Sequence, residues 1–397
     1  MNSLSTTLNS SINSFNPKWN KFPQLRINHF EYSQDKKLLI IATNNGYRIY
    51  ETQTFSLISS LDSFQEMIGN ISKASILYSS KLICFLPEDS NQFYNSKTII
   101  FFDDSTRKNL GLINCKERIF NFFLTRYLIF LIVWNKIYVF ELRTLKFIFT
   151  INNIDIDENL ISIEEDYINE NNYKLINLAV LPLSYKENNI IMIYKLLISD
   201  TNNELIGQQN LGIITNFKNI KKIELKSKDK IIVLSQFGNK IHIYNCLNND
   251  LLYCIYLGNK RMNVTNFNFD VKEKFLMFLL DFDEINIYKL NVINDKFKCK
   301  CHLHSDNEVK IRRKSSNNSF LGGFFNRLVE DYTEPFLYKI IETEGTNFKL
   351  EFDLKNKNQI YLISNIGITI IYNFDRKKGK LNSIKQYDMF EEDLDEN

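Results

Sequence analysis

The chain has 397 residues, 44% of them apolar and 14% aromatic, with 49 basic residues against 46 acidic ones for a net charge of +3. That composition supplies a large core, and the charge balance is too even for a nucleic-acid stripe, so a nucleic-acid partner is not expected. The longest apolar run, Tyr127 to Trp134, falls far short of the roughly 20 residues that span a bilayer, so no transmembrane segment is expected.

Residues 1–20 are rich in Ser, Asn and Thr and read as a mobile N-terminal arm. Beyond them a single phrase recurs, in which a polar turn leads into apolar residues that close on an aromatic. It ends at Tyr50, Phe102, Phe140, Tyr194, Tyr244, Tyr288 and Tyr372. A second apolar run precedes each phrase: Leu38 to Ala42, Leu82 to Leu86, Tyr127 to Trp134, Ile176 to Pro182, Ile231 to Leu234, Phe275 to Leu280 and Ile360 to Ser364. Paired runs of this kind are the inner strands of an antiparallel sheet. Their return about every 40 to 50 residues, with one long gap between Tyr288 and Tyr372, predicts an all-β chain. The expected architecture is a seven-bladed β-propeller of four-stranded antiparallel blades.

Blade one is expected over Leu25 to Leu61, and blade two up to Cys115 with a polar loop at Pro87 to Ser96. Blade three runs from Glu117 to Ile151, and its apolar strands imply cover on both faces. Blade four opens with the acidic stretch Ile154 to Asn172, read as a solvated loop. Blade five covers Thr215 to Tyr256. Blade six begins near Asn263 and carries an insertion at 291–335 before a strand resumes over Phe336 to Thr343. Blade seven covers Asn347 to Asp375. The propeller is expected to occupy 21–385 as one domain, with an acidic tail at 386–397. A monomer is expected.

No catalytic pattern is present: GxSxG, GxxxxGK[ST] and HExxH are all missing, and the chain is not expected to be an enzyme or to hold a cofactor. Cys299, Cys301, His302 and His304 suggest zinc by residue type. On a strand, however, the two thiols share one face and the two imidazoles point to the other, so they do not converge on one ion. The six cysteines are scattered, and reduced thiols are expected. The insertion is more suggestive. Lys310, Arg312, Arg313 and Lys314 precede Phe320, Leu321, Phe324, Phe325 and Arg327, a combination of cations and aromatics that suits an anionic membrane surface. Ser315 and Ser316 beside the basic residues are candidate phosphorylation sites that would weaken that attraction.

The stretches FEYSQDKKLLIIATNNGYRIYE, KLICFLP, YLIFLIVWNKIYVFELRTLKFIFTI, KIIVLSQFGNKIHIYN and FNFDVKEKFLMFLLDFDEINIYKL, in this order and spacing, resemble the PROPPIN family. The resemblance covers about residues 25 to 375. It implies a propeller that binds phosphatidylinositol 3-phosphate and the 3,5-bisphosphate in autophagy and in vacuolar or endosomal traffic. It also places the membrane-inserting loop in the blade-six insertion.

The family's F-R-R-G signature, one arginine for each of two lipid pockets, aligns with Ile255, Tyr256, Leu257 and Gly258, so only the glycine matches. Neither Tyr nor Leu can replace a guanidinium that grips phosphate with two donors. In the first pocket Ser235 matches the family, while Asn216, Asn239 and His242 stand where His, Thr and Arg are usual. In the second, Asp281, Asp283, Glu284 and Asn286 replace small hydroxyl residues and a His, and their carboxylates repel a phosphate. Lys260 and Arg261 are the candidate substitute cations.

The resemblance therefore implies a non-enzymatic peripheral scaffold on preautophagosomal, vacuolar or endosomal membranes, with weakened phosphoinositide pockets and contact through the blade-six loop. A protein partner such as an autophagic lipid-transfer protein is expected near Pro87 to Ser96 and Asp103 to Lys108. Two alternatives stay open: a phosphoinositide-binding PROPPIN that uses Lys260, Arg261 and His242, and a soluble WD-type scaffold.

Overall fold

The computed structural model describes residues 25–62, 68–155, 157–166, 173–183, 190–199, 205–215, 219–226, 229–257, 261–270, 274–280, 284–290, 336–339, 348–352, 358–364, 366–376 and 380–389. It shows seven four-stranded sheets, each an antiparallel meander of four consecutive strands. Blade one is β1 (Ile27–Tyr32), β2 (Leu38–Thr43), β3 (Gly46–Glu51) and β4 (Leu57–Asp62). Blade two is β5 (Ile71–Ile76), β6 (Leu82–Pro87), β7 (Thr98–Asp103) and β8 (Lys108–Asn114), and blade three is β9 (Asn121–Leu124), β10 (Leu128–Val133), β11 (Lys136–Glu141) and β12 (Phe147–Asn152). Blade four is β13 (Ile161–Asp166), β14 (Tyr173–Val180), β15 (Ile190–Ser199) and β16 (Leu205–Ile214). Blade five is β17 (Ile220–Lys226), β18 (Lys230–Ser235), β19 (Lys240–Asn245) and β20 (Leu251–Tyr256). Blade six is β21 (Val264–Phe269), β22 (Phe275–Leu280), β23 (Glu284–Lys289) and β24 (Phe336–Lys339), and blade seven is β25 (Phe348–Phe352), β26 (Gln359–Ser364), β27 (Ile368–Asp375) and β28 (Lys380–Asp388).

The recurring aromatics all lie on the third strand of a blade, and the preceding apolar runs form the second. Side chains alternate along each strand, so each sheet offers one apolar face to either neighbour. Seven hydrophobic clusters result, one at each blade junction. All six residues of β10 are buried, as expected for a strand covered on both faces. Among the described strands, blade one holds only N-terminal ones and blade seven only C-terminal ones, so no shared strand closes the ring. Packing closes it instead. Tyr32, Leu39, Ile41, Tyr50 and Phe55 meet Tyr361, Ile363, Ile371 and Met389, and the Tyr50 hydroxyl donates to the Met389 carbonyl at 2.6 Å.

One expectation is corrected. The acidic stretch after Ile154 is not simply a solvated loop, because it contains a 3-10 turn at Glu158–Leu160 and the whole of β13. Its carboxylates are used inside the ring: Glu165 accepts hydrogen bonds from the Tyr78 hydroxyl and the Arg126 amide, which link blade four to blades two and three. The last strand runs to Asp388, and Met389 after it packs against blade one.

The first strands of adjacent blades approach one another and line the axis with paired charges. Lys73 sits 3.5 Å from Glu31 and donates to Asn121 at 2.9 Å, Lys36 pairs with Glu351, and Glu224 lies between Lys222 and Lys226 at 3.2 and 2.8 Å. Burial alone would raise the Glu224 pKa, but the two ammonium groups hold it down to about 2.

A second repeat sits in the turns between third and fourth strands. Phe55, Arg107, Leu145 and Asn249 all adopt φ between 55° and 61°, each four residues after Glu51, Asp103, Glu141 and Asn245. The acid or amide at the start of each turn organises it. Glu51 accepts from Thr54 at 2.7 Å, Asp103 from Ser105 at 2.7 Å and Thr106 at 2.8 Å, and Asn245 from the Leu247 amide at 2.7 Å. In blade two this turn also carries Asp104, which is buried against blade one. It accepts from Tyr47 at 2.8 Å and Ser59 at 2.7 Å, with Arg107 at 3.3 Å.

Candidate functional site at the rim of blade five

Strand alternation sorts the expected pocket residues onto two sides of blade five. On β19, Ile241 and Ile243 pack toward blade six, whereas Tyr244 packs toward blade four. His242 shares the side of Tyr244, and Ser235 shares the side of Ile231 and Val233, so both face blade four. Tyr256 pairs across the ladder with Lys240, whose ammonium stands 5.9 Å from the tyrosine ring, which places Tyr256 on that side too. Leu257 faces the other way and packs in the blade-five to blade-six cluster with Ile255, Val264 and Phe267. The two positions that would carry phosphate-gripping arginines thus point into two separate junctions.

On the blade-four side the polar groups hold one another. Ser235 donates to Asn239 at 3.0 Å and accepts from the Lys240 amide at 3.1 Å, and the Asn239 carbonyl accepts from the Leu257 amide at 2.8 Å. His242 is 5% exposed and bonded through Nδ1 to the Tyr244 hydroxyl at 3.0 Å. Tyr256 is 41% exposed, so the first arginine position is an open, neutral ring beneath a lysine. Gly238 shapes the turn between β18 and β19. Its φ of +69° and a Met262 carbonyl 2.0 Å from any added Cβ leave no room for another residue.

On the blade-six side the second position is filled. Leu257, Met262 and Phe269 pack together with the apolar core of the junction. Glu284 and Asn286 alternate with Tyr288, which belongs to the same cluster, and so face blade five. Burial, then the Glu284 carboxylate, pushes the Tyr288 phenol well up. Asn286 is 2% exposed, and its Nδ2 meets no partner among the described residues. Among the described residues, Lys222 stands 5.5 Å from the Phe267 ring of this junction and Lys221 bonds Asn263 at 3.0 Å, while Arg261 is exposed.

Asn216, Gly258, Lys260, Asp281 and Asp283 lie outside the described residues. So do the basic aromatic loop with Lys310, Arg312, Arg313, Lys314, Phe320, Leu321, Phe324, Phe325 and Arg327, the two serines beside it, and the segment from Cys299 to His304. Among the described residues no cluster of His, Cys, Asp or Glu could hold a metal, and no helix is long and apolar enough to cross a membrane. The thiols of Cys84, Cys115, Cys246 and Cys254 are free.

An aromatic patch that the sequence reading did not single out lies where blades two and three meet. Phe93, Phe120 and Trp134 are 46%, 40% and 58% exposed, the last two with ring centroids 6.2 Å apart. Arg118 lies 5.6 Å from the Phe120 ring and pairs with Asp89 at 2.6 Å. Phe93 falls in the expected Pro87 to Ser96 loop. The Asp103 to Lys108 turn is placed differently: its Asp104 and Arg107 are tied into blade one.

No protein-family model and no curated protein sequence matches the chain. Solved structures do. The chain is similar to Kluyveromyces lactis Hsv2 with its complete loop 6CD at 13% identity and a TM-score of 0.65, over 92% of this chain and 99% of that one. It is similar to Kluyveromyces marxianus Hsv2 at 14% identity and a TM-score of 0.63 over the same shares. KlAtg21, solved in complex with the coiled coil of AgAtg16, matches at 15% identity and a TM-score of 0.62, over 91% of this chain and 99% of that one. At these identities the likeness establishes a shared seven-bladed fold.

Proposed function

We propose that this chain is a divergent PROPPIN-like scaffold without enzymatic activity, acting at autophagic, vacuolar or endosomal membranes with weakened phosphoinositide pockets. Hsv2 and Atg21, whose fold it shares, are members of the family that its sequence resembles. The observation that carries the weakened pockets is the packing of Leu257 into the apolar junction of blades five and six, a junction that Glu284 also faces. A leucine in that core offers no donor to a phosphate, and a neighbouring carboxylate repels one. The connection between the third and fourth strands of blade six spans 290–335, and its basic aromatic segment supplies the membrane contact. Phe93, Phe120, Trp134 and Arg118 form the protein-docking surface, since exposed aromatics beside an arginine are typical anchors of interfaces. Atg21 is solved with a coiled-coil partner, which fits a scaffold role.

Liposome flotation tests this reading. Vesicles of anionic phospholipid are expected to carry the protein equally well with and without phosphatidylinositol 3-phosphate, and replacing Phe320, Phe324 and Phe325 with Ser abolishes flotation. A strong dependence on the 3-phosphate overturns the weakened pockets. One observation favours a second reading with retained lipid recognition: Lys240 stands over Tyr256, which sets a cation near the first lost arginine. His242 is not free to serve there, being buried and bonded to Tyr244.

A further inference from the structure

Outermost strands leave unpaired backbone groups on the propeller perimeter, and natural sheets blunt such edges with short strands, bulges and charges. Six blades do so. Regular pairing of the fourth strand covers only Ser59 to Asp62, Gly111 to Asn114, Phe149 to Asn152 and Tyr253 to Tyr256 in blades one, two, three and five, each ended by a bulge. In blade six β24 is four residues long, and in blade seven a bulge splits β28 between Ser383 and Lys385. Blade four, whose β16 has its own bulge between Leu205 and Gly207, keeps the longest regular run among the described fourth strands. There β16 pairs with β15 without interruption from Gly207 to Ile214, eight consecutive residues.

The β16 sequence LIGQQNLGII contains no charge and no proline, whereas β8 carries Lys108 and β28 carries Lys380 and Lys385. Its Gln208, Gln209, Asn210 and Gly212 are exposed. The fold does not require its glycines. A Cβ on Gly207 would meet Leu197 at 3.6 Å and one on Gly212 would meet Ile190 at 3.5 Å, ordinary contacts, and neither has a left-handed φ. Gly207 adjoins the bulge between Leu205 and Gly207, whereas Gly212 lies inside the regular run, where a strand glycine often marks a site of close approach by another backbone.

We propose that β16 is a strand-addition site for an extended segment of a protein partner. The segment adds a fifth strand to blade four through main-chain hydrogen bonds. Eight residues span about 26 Å. Two rigid propellers touching along that edge alone would bury less than the roughly 1,200 Å² of a stable interface, whereas an unfolded segment can follow the edge and lay side chains on both faces. One face presents Gln209 and the half-buried Leu211, beside Ile213 buried toward blade five, and the other presents Gln208 and Asn210. The segment therefore alternates apolar with uncharged polar residues and lacks proline.

Selection of a random twelve-residue peptide display library on the full chain, followed by fluorescence anisotropy with synthetic peptides, tests this. Enriched peptides are expected to alternate as described. Methylating every second backbone nitrogen of such a peptide weakens binding more than tenfold, as do Asn210→Lys and Gly212→Lys, which leave the thermal midpoint unchanged. Hydrogen exchange then slows at amides 207–214 upon peptide addition. Any of four results overturns the proposal: no enrichment, indifference to nitrogen methylation, protection confined to another surface, or light scattering that shows a two-chain particle with amides 207–214 already protected.

Discussion

Replacing Asp104 with Ala removes the acceptor that ties blade two to blade one. Its Oδ1 takes hydrogen bonds from Tyr47 at 2.8 Å and Ser59 at 2.7 Å and faces Arg107 at 3.3 Å, while Lys81 lies 3.9 Å from Oδ2. Asp104 is 5% exposed and Tyr47 is 1% exposed, so water cannot take over the lost bonds. Two stranded hydroxyls at about 1 to 3 kcal/mol each, partly offset by the remaining Arg107 contacts with Tyr47 and Ser59, give about 2 to 5 kcal/mol of destabilisation. Asp104→Asn keeps an acceptor and loses the charge, and about half of that cost is expected. Urea denaturation followed by tyrosine and tryptophan fluorescence measures both variants, with the slope m checked for constancy. A loss below about 1 kcal/mol for Asp104→Ala would refute the reasoning, because it would mean that the buried cluster is not held by this carboxylate.

Three further outcomes follow from the same geometry. Met389→Ala opens the junction that closes the ring and costs about 2 to 4 kcal/mol, and Tyr50→Phe costs about 1 kcal/mol through the lost bond to the Met389 carbonyl, both read by urea denaturation. Because the folded pKa of Glu224 lies below its unfolded value, its contribution is complete above about pH 4.5 and is lost as pH falls toward 2. Glu224→Gln therefore flattens the acid limb of the stability profile, measured by thermal midpoint against pH. Tyr256→Arg, at an exposed ring, leaves stability within about 0.5 kcal/mol and raises affinity for vesicles containing phosphatidylinositol 3-phosphate, while Leu257→Arg loses about 1 to 3 kcal/mol of packing; paired flotation and melting curves separate the two effects.

The second strands were legible because both of their faces are buried, which makes them near-continuous apolar runs such as Leu128 to Val133, and the third strands because each closes on its recurring aromatic. The first strands were harder. Those that line the axis carry charges, so β13, with Glu164 and Glu165, reads as solvated until its partners across the channel are seen. The fourth strands alternate exposed and covered positions and carry bulges, which blurs their period. A usable signal was nonetheless present: an acid or amide right after the closing aromatic, with Thr or Asn three residues later, as in Glu51 with Thr54, Asp103 with Thr106, Glu141 with Thr144 and Asn245 with Asn248. At the candidate site the sequence shows that Tyr256 and Leu257 replace arginines. That one stands open beneath Lys240 and the other is packed into a core depends on contacts from a neighbouring strand and a neighbouring blade.

Titration of soluble inositol 1,3-bisphosphate into the full chain by isothermal calorimetry addresses the state of the pockets without any contribution from membrane insertion. The account predicts no saturable heat at submillimolar ligand for the native chain, and a measurable one after Tyr256→Arg. Tight, stoichiometric binding by the native chain, lost on Lys240→Ala, would contradict it.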